Sequence, residues 1–316
     1  MERSDLVRNI RETLSRAGFS VSDLCSIRLA GFDLVARRDN TLLFVKILTN
    51  IDALSEDVAR EIITLSSLLK GCPLLVGEKT GLGDLEDSVV YFRFGIRAIT
   101  LNTLQDHLLE GNPIAAYAAP GGLYVTLDEK KIQVLRQQQG VSLGEFARFV
   151  RVSRKTAQLY EKGMNARIEI ASRIEELFNS PVSLPMDLFD ISQNDQKPGV
   201  QNPKKPDALK DLESEIYSLL KRLGYEIVRM ERCPFEAVSK EKERVLLTCV
   251  HTYDKKMIQK AQLVSSISRI TEKHAVLFTD KDTEKKNLEG TPIIRKKELK
   301  KIHEPEEIID LIIERI

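Results

Sequence analysis

The sequence has few of the features that would indicate a membrane, secreted or metal-binding protein. Tryptophan is absent, which by itself excludes nothing. No run of about 18 apolar residues occurs, so no membrane-spanning helix is expected, and the start, Met-Glu-Arg-Ser-Asp, lacks the apolar core of a signal peptide. The cysteines show no Cys-x-x-Cys spacing, so we expect no zinc site and reduced thiols in a cytoplasmic protein. They are Cys25, Cys72, Cys233 and Cys249.

The composition is that of an ordinary globular protein of two or three domains. The chain has 316 residues, of which 42% are hydrophobic and 30% charged. Its net charge is only +1. Attraction to nucleic acid therefore has to come from one region of the chain and not from the whole molecule.

Residues 142–163 have the pattern of two short helices joined by a tight turn. Ala147 is the small residue that a helix crossing needs, Val152 fills the turn, and Ser153 is a good N-cap for the second helix. Apolar residues recur at helical spacing and would bury the backs of both helices; they are Leu143, Phe146, Ala147, Val150, Ala157 and Tyr160. The pattern predicts a helix-turn-helix with its second helix over 153–161.

The outward positions of this segment favour DNA as the partner. Residues 141–167 contain six Arg or Lys against two Asp or Glu. Arg154 and Gln158 are the residue types that read base edges, and basic or hydroxyl side chains nearby suit phosphates. The predicted DNA-binding residues are Ser142, Arg148, Ser153, Arg154, Lys155, Gln158 and Lys162. Leu159 is apolar where a polar residue is expected, which marks it as a candidate dimer or interdomain contact.

Residues 128–180 resemble the lambda repressor/Cro family of helix-turn-helix domains. Val152-Ser153-Arg154-Lys155-Thr156, followed by Tyr160-Glu161-Lys162-Gly163, is similar to the recognition-helix signature of that family. The flanks agree, with predicted helices over 127–139, closed by Gly140, and over 168–178. One departure is Arg151, which stands where the family usually has a glycine in the left-handed conformation. This substitution should cost about 1 kcal/mol.

The two regions on either side of this motif resemble each other. Each begins with an amphipathic helix that ends at a glycine, Gly18 in the first region and Gly224 in the second. Two strands and a second helix follow, the helix over 55–70 in the first region and over 255–273 in the second. Further strands and a short helix complete each region. Each therefore follows the order α-β-β-α-β-α, which predicts a small α/β domain of about 100 residues. The fold class expected is α/β flanking domains around an all-α, lambda-repressor-like helix-turn-helix domain.

This element order resembles the restriction-endonuclease-like, PD-(D/E)xK fold. The resemblance implies an acid on one strand and an acid-x-Lys motif on the next, which hold a divalent metal near the scissile phosphate. Asp33 and Lys46 occupy two of these positions in the first region, but Phe44 replaces the middle acid. In the second region Glu236 matches the first acid, and Cys249 or Val250 falls in place of lysine. Both regions are therefore expected to be inactive. Asp33 and Lys46 are interpreted as an ordinary exposed ion pair, with a residual nucleic-acid or metal site as the alternative.

The predicted domain boundaries follow these patterns. Residues 1–112 and 210–316 form the degenerate nuclease-like domains, and residues 127–189 form the helix-turn-helix domain. Residues 113–126 form a joint whose apolar parts pack or pair as a short strand. Residues 190–209, rich in proline and polar residues, form a linker.

The whole layout resembles a family of archaeal helix-turn-helix regulators. It implies a cytoplasmic, sequence-specific transcriptional regulator that binds double-stranded DNA, is not an enzyme and needs no cofactor or metal. One such module buries little surface, so a homodimer is expected, and the existence of a small-molecule effector stays open. The alternatives are a metal-dependent nuclease or repair protein that uses Asp33 and Lys46, and a protein-interaction adaptor. Residues 281–301, with eight basic and four acidic residues, form either a second phosphate-contacting surface or a solvated face.

Overall fold

The structure is a computed structural model that describes residues 2–25, 30–190, 211–251 and 255–316. The predicted linker therefore lies, apart from Asp190, outside the described residues. The chain forms two compact units: one holds the described residues of Met1–Thr13, Leu48–Ala53 and Leu75–Leu188, and the other those of Leu14–Ile47, Leu54–Leu74 and Phe189–Ile316. The predicted domain boundaries stay a prediction.

The first region alternates helices with short strands. Its helices are α1 (Arg3–Arg16), α2 (Glu56–Leu69) and α3 (Leu101–Leu109), with a 3-10 turn over Ile51–Ala53. Its strands are β1 (Ser20–Val21), β2 (Leu34–Arg38), β3 (Thr41–Ile47), β4 (Cys72–Val76), β5 (Lys79–Thr80), β6 (Gly83–Asp84), β7 (Val89–Arg93) and β8 (Ile96–Ile99). The predicted order α-β-β-α-β-α is present, with extra short strands before α3.

The middle region contains a β-hairpin and then the predicted helices. Its elements are β9 (Ala116–Ala119), β10 (Gly122–Leu127), α4 (Glu129–Gln138), α5 (Leu143–Val150), α6 (Arg154–Tyr160), β11 (Ala166–Arg167), α7 (Ile168–Phe178) and β12 (Ser183–Leu184). β9 and β10 pair antiparallel, Tyr124 opposite Tyr117, which confirms that the apolar parts of the predicted joint pair as strands.

A hydrophobic core holds this middle region together. Phe146, Val150 and Ile174 are fully buried in it. The rings of Phe146 and Phe178 lie 5.6 Å apart between centroids and connect α5 to α7. Burying each such side chain contributes about 1.5–3 kcal/mol. The back of α5 is therefore fixed to the neighbouring helix, and its front is left free.

The last region repeats the α/β pattern. Its elements are α8 (Asp211–Arg222), β13 (Glu226–Arg229), β14 (Ala237–Glu241), β15 (Arg244–Val250), α9 (Lys255–Thr271), β16 (His274–Thr279), β17 (Asn287–Leu288), β18 (Thr291–Arg295), α10 (Lys296–Leu299) and α11 (Pro305–Arg315). The strands have the order β13-β14-β15-β16-β18-β17. β14 and β15 are antiparallel, whereas β15, β16 and β18 are parallel, as buried Val, Leu and Ile runs favour.

The two α/β regions match in backbone hydrogen bonding. Asp33 N donates to Val45 O at 2.8 Å, and Glu236 N donates to Thr248 O at 3.0 Å. Residues 33–47 therefore correspond to 236–250, with β2 and β3 matching β14 and β15. The internal repeat predicted from the sequence is present in the strands and in the helices α2 and α9 that follow them.

Candidate nucleic-acid interface

Capping residues fix both ends of α5. The Ser142 hydroxyl accepts a hydrogen bond from Glu145 N at 3.2 Å, and Ser142 N donates to Glu145 Oε2 at 2.8 Å, which together form a capping box. α5 ends at Arg151 in the left-handed conformation, with φ 61° and ψ 48°. Val152 N then donates to Ala147 O at 2.9 Å and closes the turn. This confirms the left-handed position predicted for Arg151.

The second helix of the motif begins at its predicted cap. The Ser153 hydroxyl accepts from Thr156 N at 3.0 Å. Ala157 and Tyr160 are buried, as the apolar spacing predicts. α6 itself covers Arg154–Tyr160, and Glu161 forms its C-cap, so the predicted range 153–161 comprises the helix and its two caps.

All seven predicted DNA-binding residues are exposed. Ser142 and Ser153 cap helices. Within the described part of the chain, five side chains of the set make no hydrogen bond or ion pair; they are Arg148, Arg154, Lys155, Gln158 and Lys162. They are therefore available to phosphates and base edges. The assignment of each to DNA stays a prediction.

The contacts of Glu161 and the backbone of Gly163 explain the Tyr-Glu-Lys-Gly sequence at the end of α6. Glu161 is buried and forms an ion pair with Arg136 of α4, and Arg136 also donates to Val141 O at 2.9 Å. Gln133 Nε2 donates to Glu161 O at 2.5 Å. Gly163 follows with φ 84°, a conformation that favours glycine. Arg136 therefore links the entrance of α5 to the end of α6, a role that sequence reasoning missed because the two residues are far apart in the chain.

The two acids of this segment do not cancel its basic charge at the exposed front. Glu161 is engaged by Arg136. Glu145 is held in the capping box, and hydrogen bonds from the Ser142 side chain and backbone lower its pKa. Neither acid forms an ion pair with the cations of α6 in the described chain, so six basic residues against two acids leave the segment with a net positive charge. Such a surface attracts an anionic polymer through its phosphates.

Two apolar side chains interrupt this polar surface. Phe149 is 44% exposed and Leu159 is 39% exposed. Leu159 was expected to be outward from the sequence, and Phe149 was not singled out. Isolated exposed apolar residues are common in folded proteins, so neither defines a contact by itself.

The surroundings of Asp33 and Lys46, the nuclease-like residues of the first region, differ from those expected from the sequence. Asp33 is 2% exposed and its Oδ2 accepts from Ile47 N at 2.7 Å. Lys46 Nζ lies 3.5 Å from the same oxygen and donates to Ala30 O at 2.7 Å. The prediction of an exposed surface pair is therefore wrong. Asp33 accepts from the backbone of β3 and Lys46 donates to the backbone at Ala30, and their side chains are only 3% and 12% exposed.

Phe44 occupies the position of the middle acid. It is fully buried, and its ring packs edge-on against Phe32 with 5.7 Å between centroids. A hard dication needs several oxygen ligands, and no group of three His, Cys, Asp or Glu side chains with metal-binding geometry is found among the described residues. The donor set at Asp33 therefore does not fit a divalent metal.

In the last region, the acid that corresponds to Asp33 forms its ion pair with a lysine from a different element. Glu236 Oε2 accepts from Val250 N at 2.9 Å, as Asp33 does from Ile47 N. This register places Cys249, buried, at the position of Lys46. Lys260 of α9 forms the ion pair with Glu236 instead. Sequence reasoning missed Lys260 because a helix residue carries no strand-spacing signal.

Four of the eight basic residues at 281–301 form ion pairs with neighbouring acids. The ion pairs are Lys286 with Glu314, Arg295 with Glu298, Lys296 with Glu215 and Lys297 with Asp282. This favours a solvated face over a second phosphate-contacting surface. Among the described helices, none is long and apolar enough to cross a membrane.

Comparisons with known families agree with the two kinds of domain. The family model described as "PD-(D/E)XK superfamily domain" matches residues 3–114, and the one described as "Helix-turn-helix" matches residues 132–184. No solved structure matches the chain. Fold and surface together define the class: a helix-turn-helix protein with a restriction-endonuclease-like α/β domain.

Curated archaeal relatives match over the full length. A protein of Methanosarcina mazei is 40% identical, one of Methanosarcina acetivorans 39%, each over 100% of this chain and 98% of the relative. A protein of Natronomonas pharaonis is 37% identical over 100% of this chain and 99% of its own. Their names assign all three provisionally to the HTH-type transcriptional regulatory proteins. The chain belongs to this family.

Proposed function

We propose that this protein is a sequence-specific, DNA-binding transcriptional regulator whose helix α6 enters the major groove. The observation that carries the proposal is the exposed front of α6, where Arg154, Lys155 and Gln158 have no intramolecular polar partner in the described chain. Arg pairs with guanine, Gln pairs with adenine, and Lys neutralises phosphate. The names of the archaeal relatives support the same function.

The proposed active form is a homodimer on a two-fold related site. A single helix-turn-helix buries little surface, whereas two modules reading half-sites reach the affinity of known regulators. The exposed Leu159 is one candidate for a contact between copies.

We further propose that the protein is not a nuclease. Asp33 and Lys46 are committed to each other and to backbone groups, and Phe44 removes the middle carboxylate. The α/β domains then act as scaffold, and no cofactor or metal is required.

Sheared genomic DNA of the source organism, incubated with the full chain and Mg²⁺, tests both proposals. The bound fragments are recovered and sequenced to their ends. A few enriched inverted repeats with unaltered ends are expected. An absence of enrichment would contradict the regulator and favour the adaptor, whereas new cleavage ends that disappear in a folded Lys46→Ala variant would establish the nuclease.

A further inference from the structure

Gly144 and Arg154 meet where the first turns of the two motif helices cross. Gly144 is the second residue of α5, and Arg154 is the first residue of α6. A Cβ atom built on Gly144 would lie 2.9 Å from Arg154 Nη2, 3.2 Å from Nε and 3.3 Å from Cζ. The guanidinium therefore lies directly against the α5 backbone, in space that any other residue at 144 would fill.

The absence of a side chain at Gly144 is unfavourable for α5 itself. Gly144 has an ordinary helical φ, and glycine in such a position is less favourable than alanine because it loses more backbone freedom. No turn or left-handed conformation requires glycine here. The three atoms nearest to such a Cβ all belong to the end of the Arg154 side chain.

In this structure the end of the Arg154 side chain occupies the space that a Cβ atom at position 144 would take. The guanidinium makes no hydrogen bond or ion pair within the described ranges. The Ser153 cap fixes where α6 begins but not the long side chain after it. A long side chain that is already placed loses less conformational freedom on binding, which strengthens the contact it makes.

We propose that Gly144 is a positioning residue for base recognition, because it leaves room for Arg154 to be held in one orientation toward the major groove. This inference rests on the proposed function and adds a specificity-determining residue outside α6. The base class that suits Arg154 is guanine, through O6 and N7. Gly144 itself would touch no DNA.

The test uses the full chain and a duplex selected by the wild-type protein from a random double-stranded pool. Gly144→Ala should fold and unfold at a temperature no lower than that of the wild type. Its affinity for the selected duplex should fall about 5-fold or more, since a bidentate base contact is worth about 5- to 150-fold. The loss should concentrate at a guanine position, and affinity for an unrelated duplex should stay unchanged.

A double-mutant cycle shows whether the effect passes through Arg154. In an Arg154→Ala background, Gly144→Ala should have no further effect on affinity. In a Gln158→Ala background, the matched control, it should keep its full effect. Gly144→Ser repeats the test with a second side chain.

The outcomes separate this inference from the proposed function. Wild-type affinity and base preference in Gly144→Ala, or an effect that persists without Arg154, would overturn the positioning role. Failure of the wild-type chain to select any sequence would instead overturn the proposed function.

Discussion

Arg151 lowers the stability of this motif, because the turn after α5 holds it in the left-handed conformation. It has φ 61° although it carries a side chain, a conformation that costs an L-residue about 1–2 kcal/mol. Glycine relieves this strain but loses about 0.5–1 kcal/mol in chain entropy. Arg151→Gly should therefore raise the free energy of unfolding by up to about 1 kcal/mol, measured by chemical denaturation.

The matched control for Arg151 lies one turn earlier. Arg148 is exposed in the interior of α5. Arg148→Gly should lower the free energy of unfolding by about 1 kcal/mol, because glycine is a poor helix former. If Arg151→Gly destabilised the protein as Arg148→Gly does, the left-handed strain would not exist.

Lys162 tests the distinction between phosphate and base contacts. It is exposed beyond the C-terminal end of α6, and its side chain makes no hydrogen bond or ion pair within the described residues. Lys162→Ala should weaken binding to all duplexes by a similar factor and reduce the slope of log affinity against log salt by about 1. A loss confined to one sequence would show that Lys162 reads a base.

At the scale of elements, the Arg136–Glu161 pair determines how α4, α5 and α6 fit together. Both side chains are largely buried. Arg136 also donates to the Val141 backbone carbonyl, and the backbone carbonyl of Glu161 accepts from the Gln133 side chain. Removing one partner leaves a buried charge, so Glu161→Ala should lower stability by about 2–4 kcal/mol. Hydrogen exchange should increase at the amides of α6. Glu145→Ala, which removes the capping box alone, should cost only about 1 kcal/mol, and equal effects would contradict the account.

α10 and α11 meet at Glu298, which makes the last region sensitive to acid. Burial raises the pKa of Glu298, but hydrogen bonds from Arg295 and Arg315 outweigh it and lower the pKa to about 2. A lowered pKa means that the stabilisation is complete above the ordinary value of 4.5 and is lost as pH falls toward 2. Glu298→Gln should therefore unfold at lower temperature than wild type near neutral pH, and the difference should disappear near pH 2. A constant difference across that range would contradict the pKa shift.

Capping residues and apolar spacing predicted the helix-turn-helix well, but they could not predict contacts between residues that are distant in the chain. Helix α7 has the predicted bounds, 168–178, and Ser153 is the predicted cap, because caps and apolar spacing act within a few residues. Strand β7 and helix α10 were missed, since each is short and lacks clear periodicity. The burial of Asp33 and the Lys260–Glu236 pair depend on which elements pack together, and spacing along one element does not reveal that.

At the scale of the whole molecule, the proposed dimer makes a geometric prediction. Two copies that place α6 in successive major grooves require half-sites about 10–10.5 base pairs apart, or a multiple of this. The enriched DNA should therefore contain inverted repeats with that spacing, and sedimentation of the complex should show two chains for each duplex. One chain on a single asymmetric site would contradict the dimer.

The central claim is that the exposed front of α6 reads DNA sequence. It is tested most directly by comparing wild type and Arg154→Ala on the selected duplex and on an unrelated duplex at one salt concentration. We predict that Arg154→Ala loses about 1–3 kcal/mol of specific binding and relaxes the preference at one base pair, with folding unchanged. Equal specificity in the two proteins, or no preference in the wild type, would contradict the claim.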